Sequence, residues 1–181
     1  MQSSKPTLDV WDSCCLIGIL NGEKDKLAAL LAQTRFFETG AAMLGLPIAA
    51  LDEVIIPSDG TSAEEKVRAF LLNPYVLPLH PNLEISFKSK NLRIRFDVKN
   101  LPELHDKAVA AGVPKDQAKK LRVKDSEILA TALFYEATRL TTFDPFLLFL
   151  AHEYIEKETG LIVDRPASPF LPFPEEEERV T

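Results

Sequence analysis

Cysteine is nearly absent from this chain, and the two residues present, Cys14 and Cys15, are neighbours. Adjacent cysteines cannot close an ordinary, unstrained cross-link, and they lack the ligand spacing of a structural zinc site. Neither device is expected to staple the fold, and both residues read as small side chains packed at the start of a helix. Positive charge is also in deficit, with 21 Lys and Arg against 27 Asp and Glu and a formal net charge of −6. That balance excludes coating of nucleic acid by bulk electrostatics, so any such contact must use a local basic patch. No apolar run approaches the roughly 20 residues that span a bilayer. Met1 to Asp9 lacks the basic-then-apolar pattern of a signal peptide. A soluble, cytoplasmic protein without a membrane contact is expected. The chain has no Gly-rich phosphate loop and no G-x-S-x-G nucleophile turn. His80, His105 and His152 are scattered without metal spacing and read as ordinary structural or surface residues. No internal repeat is present.

What the chain does have is alternation. At 181 residues and 46% hydrophobic content it suits one substantial core. Thr7 to Trp11 reads as a strand that turns at Asp12 and Ser13 into the apolar stretch Cys14 to Leu20, which Asn21-Gly22 ends. Leu27, Leu30 and Leu31 recur at helical spacing between Glu23 and Gln33. Met43 to Ile48 is apolar and leads into Ala49 to Ile56, helical in character up to Pro57. Ser62 and Glu65 form a capping-box pattern ahead of Val67, Phe70 and Leu71. Tyr75 to Leu79 reads as a strand that Pro78 places at an edge or an end. Between Pro81 and Leu101 the signals conflict: Leu92, Ile94, Phe96 and Val98 alternate as in a strand, yet a helix to about Arg93 is preferred. Asp125 opens a helix whose apolar face is Ile128, Leu129, Ala132 and Leu133. Arg139 to Thr142 reads as a strand, Asp144-Pro145 as a helix start, and Leu161 to Val163 as a last strand. Such alternation predicts an α/β fold in three α/β/α layers around a mostly parallel sheet. Residues 1–165 would form the domain. Residues 166–181, rich in proline and carrying the acidic run Glu175 to Glu178, would form a tail, either mobile or docking through Phe170, Leu171 and Phe173.

Three aspartates stand immediately after predicted strands or at the first turn of helices: Asp12, Asp125 and Asp144. Each is a good helix-capping residue in its own right. Parallel strands, however, bring their C-terminal ends to one edge of the sheet, where open α/β folds place their sites. Carboxylates converging there repel one another, so their pKa values rise or a cation compensates them. Mg²⁺ or Mn²⁺ prefers such oxygen ligands and can activate water for attack on a phosphodiester.

These motifs resemble the PIN-domain family, and VapC-type toxin ribonucleases in particular. LDVWDSCCLIGIL is similar to the family's opening of strand, aspartate, small polar residue and apolar helix, and implies Asp12 as the first metal-binding acid. PIAALDEV resembles the segment that carries the second acid, Glu53, with Asp52 a neighbouring rival. DSEILATAL matches the aspartate of an alanine-rich helix, Asp125, and LTTFDPFL implies Asp144 as the fourth. Ser13 and Thr142 are similar to hydroxyl residues that support the metal or its water. The resemblance runs over most of Thr7 to Asp164. It implies a PIN-like fold, Mg²⁺- or Mn²⁺-dependent endoribonuclease activity, an RNA substrate, an antitoxin protein as partner and a homodimer. The long stretch Pro81 to Lys124 and the acidic tail depart from a short toxin.

Within that stretch Lys88, Lys90, Arg93, Lys120, Arg122 and Lys124 concentrate positive charge that could track an RNA backbone, although a solvated helix face explains the same pattern. Phe87 and Phe96 could stack bases, but core burial is the plainer expectation. Two rivals follow from the same residues. One is a PIN-fold binding or assembly module without significant nuclease activity. The other is a phosphoacceptor receiver-like domain, whose adjacent acidic pair after the first strand is replaced here by Trp11-Asp12.

Overall fold

A computed structural model of the protein describes residues 6–55 and 61–166. Five strands form one sheet in the order β3-β2-β1-β4-β5, and every neighbouring pair is parallel. They are β1 (Thr7–Trp11), β2 (Ala42–Pro47), β3 (Val76–Leu79), β4 (Arg139–Thr141) and β5 (Ile162–Asp164). The connections carry α1 (Ser13–Asn21), α2 (Lys24–Glu38), α3 (Ile48–Ile55), α4 (Thr61–Leu71), α5 (Leu83–Arg95), α6 (Glu103–Ala110), α7 (Val123–Phe134), α8 (Pro145–Leu150) and α9 (Glu156–Thr159). A π-helical turn, Ala151–Ile155, joins the last two. None of the described helices is long and apolar enough to cross a membrane.

The sheet separates two cores because strand side chains alternate between its faces. Val10, Leu79, Leu140 and Val163 point to the face covered by residues of α5 to α8, including Leu92, Ile128, Leu129, Phe146 and Leu150. Trp11, Leu44 and Leu46 point the other way, onto Leu16 of α1, Leu30 and Phe37 of α2 and Val67 of α4. This is the expected three-layer α/β/α arrangement. Gly45 lets β2 lie close against its neighbours, since a Cβ there would fall 2.7 Å from Leu79 Cδ1 and 3.1 Å from Leu8 Cδ1.

Several boundaries differ from the sequence reading. Helix α5 runs to Arg95, so the alternation of Leu92, Ile94 and Phe96 is not a strand; Asn82 starts it by accepting a hydrogen bond from Ile85 N at 2.9 Å. Helix α6 was unassigned by pattern, and its Leu104 and Ala108 are fully buried. Helix α4 already includes Ser62, which is therefore inside the helix and not its cap. Phe96 is buried as expected, but Phe87 is 54% exposed. Both cysteines are free. The sequence-derived helix end near Pro57 and the docking segment at Phe170, Leu171 and Phe173 lie outside the described residues.

Candidate functional site

The strand order fixes where a site can form. From central β1 the chain winds outward through β2 and β3 on one side, then returns to add β4 and β5 on the other. The reversal lies between β1 and β4, and a crevice opens beyond the carboxyl ends of the strands at such a switch point. Asp12 follows β1 directly, and Asp144 stands three residues beyond β4. The two strand ends are tied by Asp12 N donating to Thr141 O at 3.0 Å.

Asp12 is 2% exposed, and its carboxylate is held from both sides. Oδ1 accepts from Ser13 N at 2.7 Å and from the Ser13 hydroxyl at 3.3 Å. Oδ2 accepts from the Thr142 hydroxyl at 2.7 Å and from the Cys14 thiol at 3.1 Å. Burial pushes the Asp12 carboxyl up, the bonds from Thr142, Cys14 and Ser13 pull it down, and the charge of Asp144 adds a smaller upward push. The fully buried Thr142 also accepts from Asp144 N at 2.9 Å, so one hydroxyl ties two acids together. Asp144 Oδ1 then caps α8, accepting from Phe146 N and Leu147 N at 2.8 Å each.

Asp125 is different. Helix α7 begins at Val123, two residues earlier than the sequence suggested, because Arg122 takes the extended cap position and its carbonyl accepts from Ser126 N at 3.0 Å. Asp125 is thus inside the first turn, and capping does not account for it. Its carboxyl is pushed up to about 7, first by burial and then by the negative charges of Asp12, Asp144 and Glu53, with Arg122 opposing them. Four acids, from the β1–α1 junction, α3, the first turn of α7 and the start of α8, therefore share one electrostatic neighbourhood. On α3 it is Glu53 that acts on Asp125, whereas Asp52 pairs with Lys124 at 3.2 Å.

Among the described residues no group of three His, Cys, Asp or Glu side chains is poised to hold a metal ion as it stands. Both Asp12 oxygens face internal donors, and one oxygen of Asp144 caps its helix. The donor set nevertheless suits a hard divalent cation, being all carboxylate oxygen with an excess of negative charge that raises Asp125. Asp12, Glu53, Asp125 and Asp144 are the residues that could hold one.

The basic candidates disperse. Lys88, Lys90, Lys120 and Arg122 are exposed, and Arg122 lies close enough to Asp125 to act on its charge. Lys124 is engaged by Asp52 and by Glu127 at 3.7 Å. Arg93 is half-buried, with Nε lacking a hydrogen-bond partner. Two neighbours of the acids escaped the sequence reading. Cys14, read as a packing residue, touches Asp12 and accepts from Phe143 N at 3.2 Å. Gln33 of α2 braces the β1 and β4 ends, accepting from Trp11 Nε1 at 3.1 Å and donating to Thr141 Oγ1 at 3.0 Å. No local motif marks a glutamine on a distant helix, but the lone tryptophan beside Asp12 does require an indole acceptor once buried.

Neither a protein-family model nor a curated protein matches the sequence. Solved structures do. The crystal structure of VapBC2 from Rickettsia felis, bound to a DNA fragment from their promoter, contains a chain that superposes with a TM-score of 0.57 at 12% identity, covering 87% of this chain and 98% of that one. FitAcB from Neisseria gonorrhoeae gives 0.47 at 12% identity over 87% of this chain and 97% of that one, too loose to argue from. At such identity the likeness is one of architecture: the chain has a PIN-like three-layer α/β/α fold built on a parallel sheet.

Proposed function

We propose that this protein is a metal-dependent endoribonuclease, with Asp12, Glu53, Asp125 and Asp144 holding Mg²⁺ or Mn²⁺ at the carboxyl edge of the sheet. The observation that carries this reading is the Asp125 carboxyl, raised first by burial and then by three other carboxylates from separate elements. Structural acids are ordinarily arranged to avoid such crowding, and perturbed carboxylates gathered at a switch point are a mark of functional sites. When bound, the ion would polarise a phosphodiester oxygen and make water a better nucleophile. The chain's own residues do the rest. Thr142, Ser13 and Cys14 fix the direction of the Asp12 carboxylate, and Thr142 together with the first turn of α8 fixes Asp144. Asp125 holds a proton until about neutral pH in the metal-free protein, so loading the site releases it, and occupancy should rise with pH. Exposed Lys88, Lys90, Lys120 and Arg122, with Arg93 and Lys124 beside them, are the cations available to an RNA backbone.

The setting we infer is a toxin of a type II toxin–antitoxin pair, since the solved complex of similar architecture is a VapBC assembly. An antitoxin chain covering the acidic crevice and a homodimer belong to the same proposal. The test is cleavage of single-stranded RNA by the purified protein with Mg²⁺ or Mn²⁺. Activity lost on chelation and in Asp12→Asn and Asp125→Asn, with the fold intact by circular dichroism, is the expected result. One observation favours a second reading, a PIN-fold binding or assembly module: both Asp12 oxygens are already satisfied internally. RNA left whole at saturating manganese, with no ion bound, would decide for that module.

A further inference from the structure

One residue before Glu53 on α3 and one before Asp125 on α7, Asp52 and Lys124 line a pocket of about 220 Å³ that opens between α3, α5, α7 and the end of β3. It is smaller than the roughly 300–1,000 Å³ of drug-sized ligand sites, so it suits a single ring system. Ile48, Leu79, Pro81 and Ile85 give it apolar walls, with Leu79 and Ile85 almost wholly buried. On the polar side stand Asp52, Lys124 and Glu127. Lys124 Nζ lies 3.2 Å from Asp52 Oδ2 and 3.7 Å from Glu127 Oε2. All three side chains remain over a third exposed, so their polar atoms stay open to a ligand. Asp52 takes no part in the proposed metal site, and Lys124, one of the cations available to the RNA there, is held here between two acids.

We propose that this pocket takes a guanine base of the RNA; the inference deepens the nuclease reading and rests on it for the substrate class. The argument is one of complementary edges. A carboxylate offers two acceptor oxygens side by side, and the ammonium next to it offers a donor. Guanine alone among the four bases presents two adjacent donors, N1–H and the 2-amino group, followed by an acceptor, O6. Uracil has a single donor between two acceptors, while cytosine and adenine each offer one amino group beside a ring acceptor. Asp52 would accept from N1–H and the 2-amino group, Lys124 would donate to O6, and Glu127 would keep Lys124 in place. The apolar walls would cover the faces of the ring, as single-stranded bases are held when splayed out of a stack. Because Asp52 adjoins Glu53 and Lys124 adjoins Asp125 in the chain, a base held there would anchor the strand next to the four acids.

The test needs neither cleavage nor metal. Guanosine, inosine, adenosine, cytidine and uridine are titrated into the methyl-labelled full-length protein in chelator, and methyl NMR shifts are followed. We expect guanosine to move the Ile48, Leu79 and Ile85 methyls. Inosine, which lacks the 2-amino group, should bind about tenfold more weakly, as one lost charge-assisted bond requires. Asp52→Asn should bring guanosine down to the level of inosine, and Lys124→Met should weaken both. All five nucleosides shifting these methyls alike, or none doing so, would overturn the proposal; so would N-acetyl-argininamide moving them in place of guanosine, which would make the pocket a peptide site. Guanosine bound by a protein that cuts no RNA would remove the nuclease reading and leave a base-binding pocket. RNA cut by a protein that takes guanosine no better than uridine would do the reverse.

Discussion

Replacing Asp125 by asparagine should stabilise this protein, although the residue belongs to the proposed metal site. The carboxyl titrates at about 7 in the folded chain, against about 3.9 when unfolded. Between those values the unfolded chain has lost the proton and the native chain still holds it, so stability falls as pH rises through that window. Below about pH 4 the penalty vanishes, and above about pH 7 it is complete. A rise of three powers of ten corresponds to about 4 kcal/mol; water reaching the partly exposed side chain and ordinary salt reduce this to about 2 kcal/mol. For a chain of this size that is about 4–8 °C in melting temperature. The assay is a thermal melt of wild type and Asp125→Asn in chelator, from pH 4.5 to 8.5. The two should nearly coincide at the acid end and separate by that amount at pH 8, the variant higher. Manganese at pH 8 should then raise the wild type and leave the variant almost unmoved. A variant less stable than wild type at pH 8 would refute the idea that burial and the neighbouring carboxylates together penalise a charge at Asp125.

Thr142→Val keeps the shape of a fully buried side chain but removes the donor to Asp12 and the acceptor for Asp144 N; a cost of about 1–3 kcal/mol in urea unfolding is expected, largely recovered by Thr142→Ser. Asp144→Ala should lose about 0.5–2 kcal/mol from its α8 cap, whereas Asp144→Asn should lose only a fraction of that because its amide oxygen can still accept. If Asp144 contributes as a metal ligand, both should lose RNA cleavage, and an active Asp144→Asn would remove it from that role. Gly45→Ala should cost about 1–3 kcal/mol by denaturant melt, since its methyl must displace buried Leu79 and partly buried Leu8.

How far a sequence discloses its structure depends on the range of the signal. The β1 and α8 junctions were legible because Asp12 and Asp144 obey local rules: each follows an apolar strand, each caps a helix, and Pro145 fits the first helical position. The edge position of β3 was legible for a similar reason, since Pro78 cannot donate within a central strand. The α5 helix was legible only to about Arg93 and against a competing signal, because Leu92, Ile94 and Phe96 also satisfy a period of two, while the helix is decided by the Asn82 cap and by burial of Ile85. The π-helical turn left no mark, being a matter of backbone geometry alone.

The site divides along the same line. That Asp12, Asp125 and Asp144 head for one edge follows from chain order once the strands are parallel. What each carboxylate then does depends on contacts that no local pattern records: the Thr142 hydroxyl bridging 130 positions to Asp12, or the early start of α7 that leaves Asp125 without a capping task. The consequence is an inversion. Asp12 and Asp144, the two most recognisable acids, are the ones the fold itself satisfies with hydrogen bonds. Asp125, which caps no helix, bears both burial and the repulsion of the others, and in the proposed site it is where a cation would have the most to relieve.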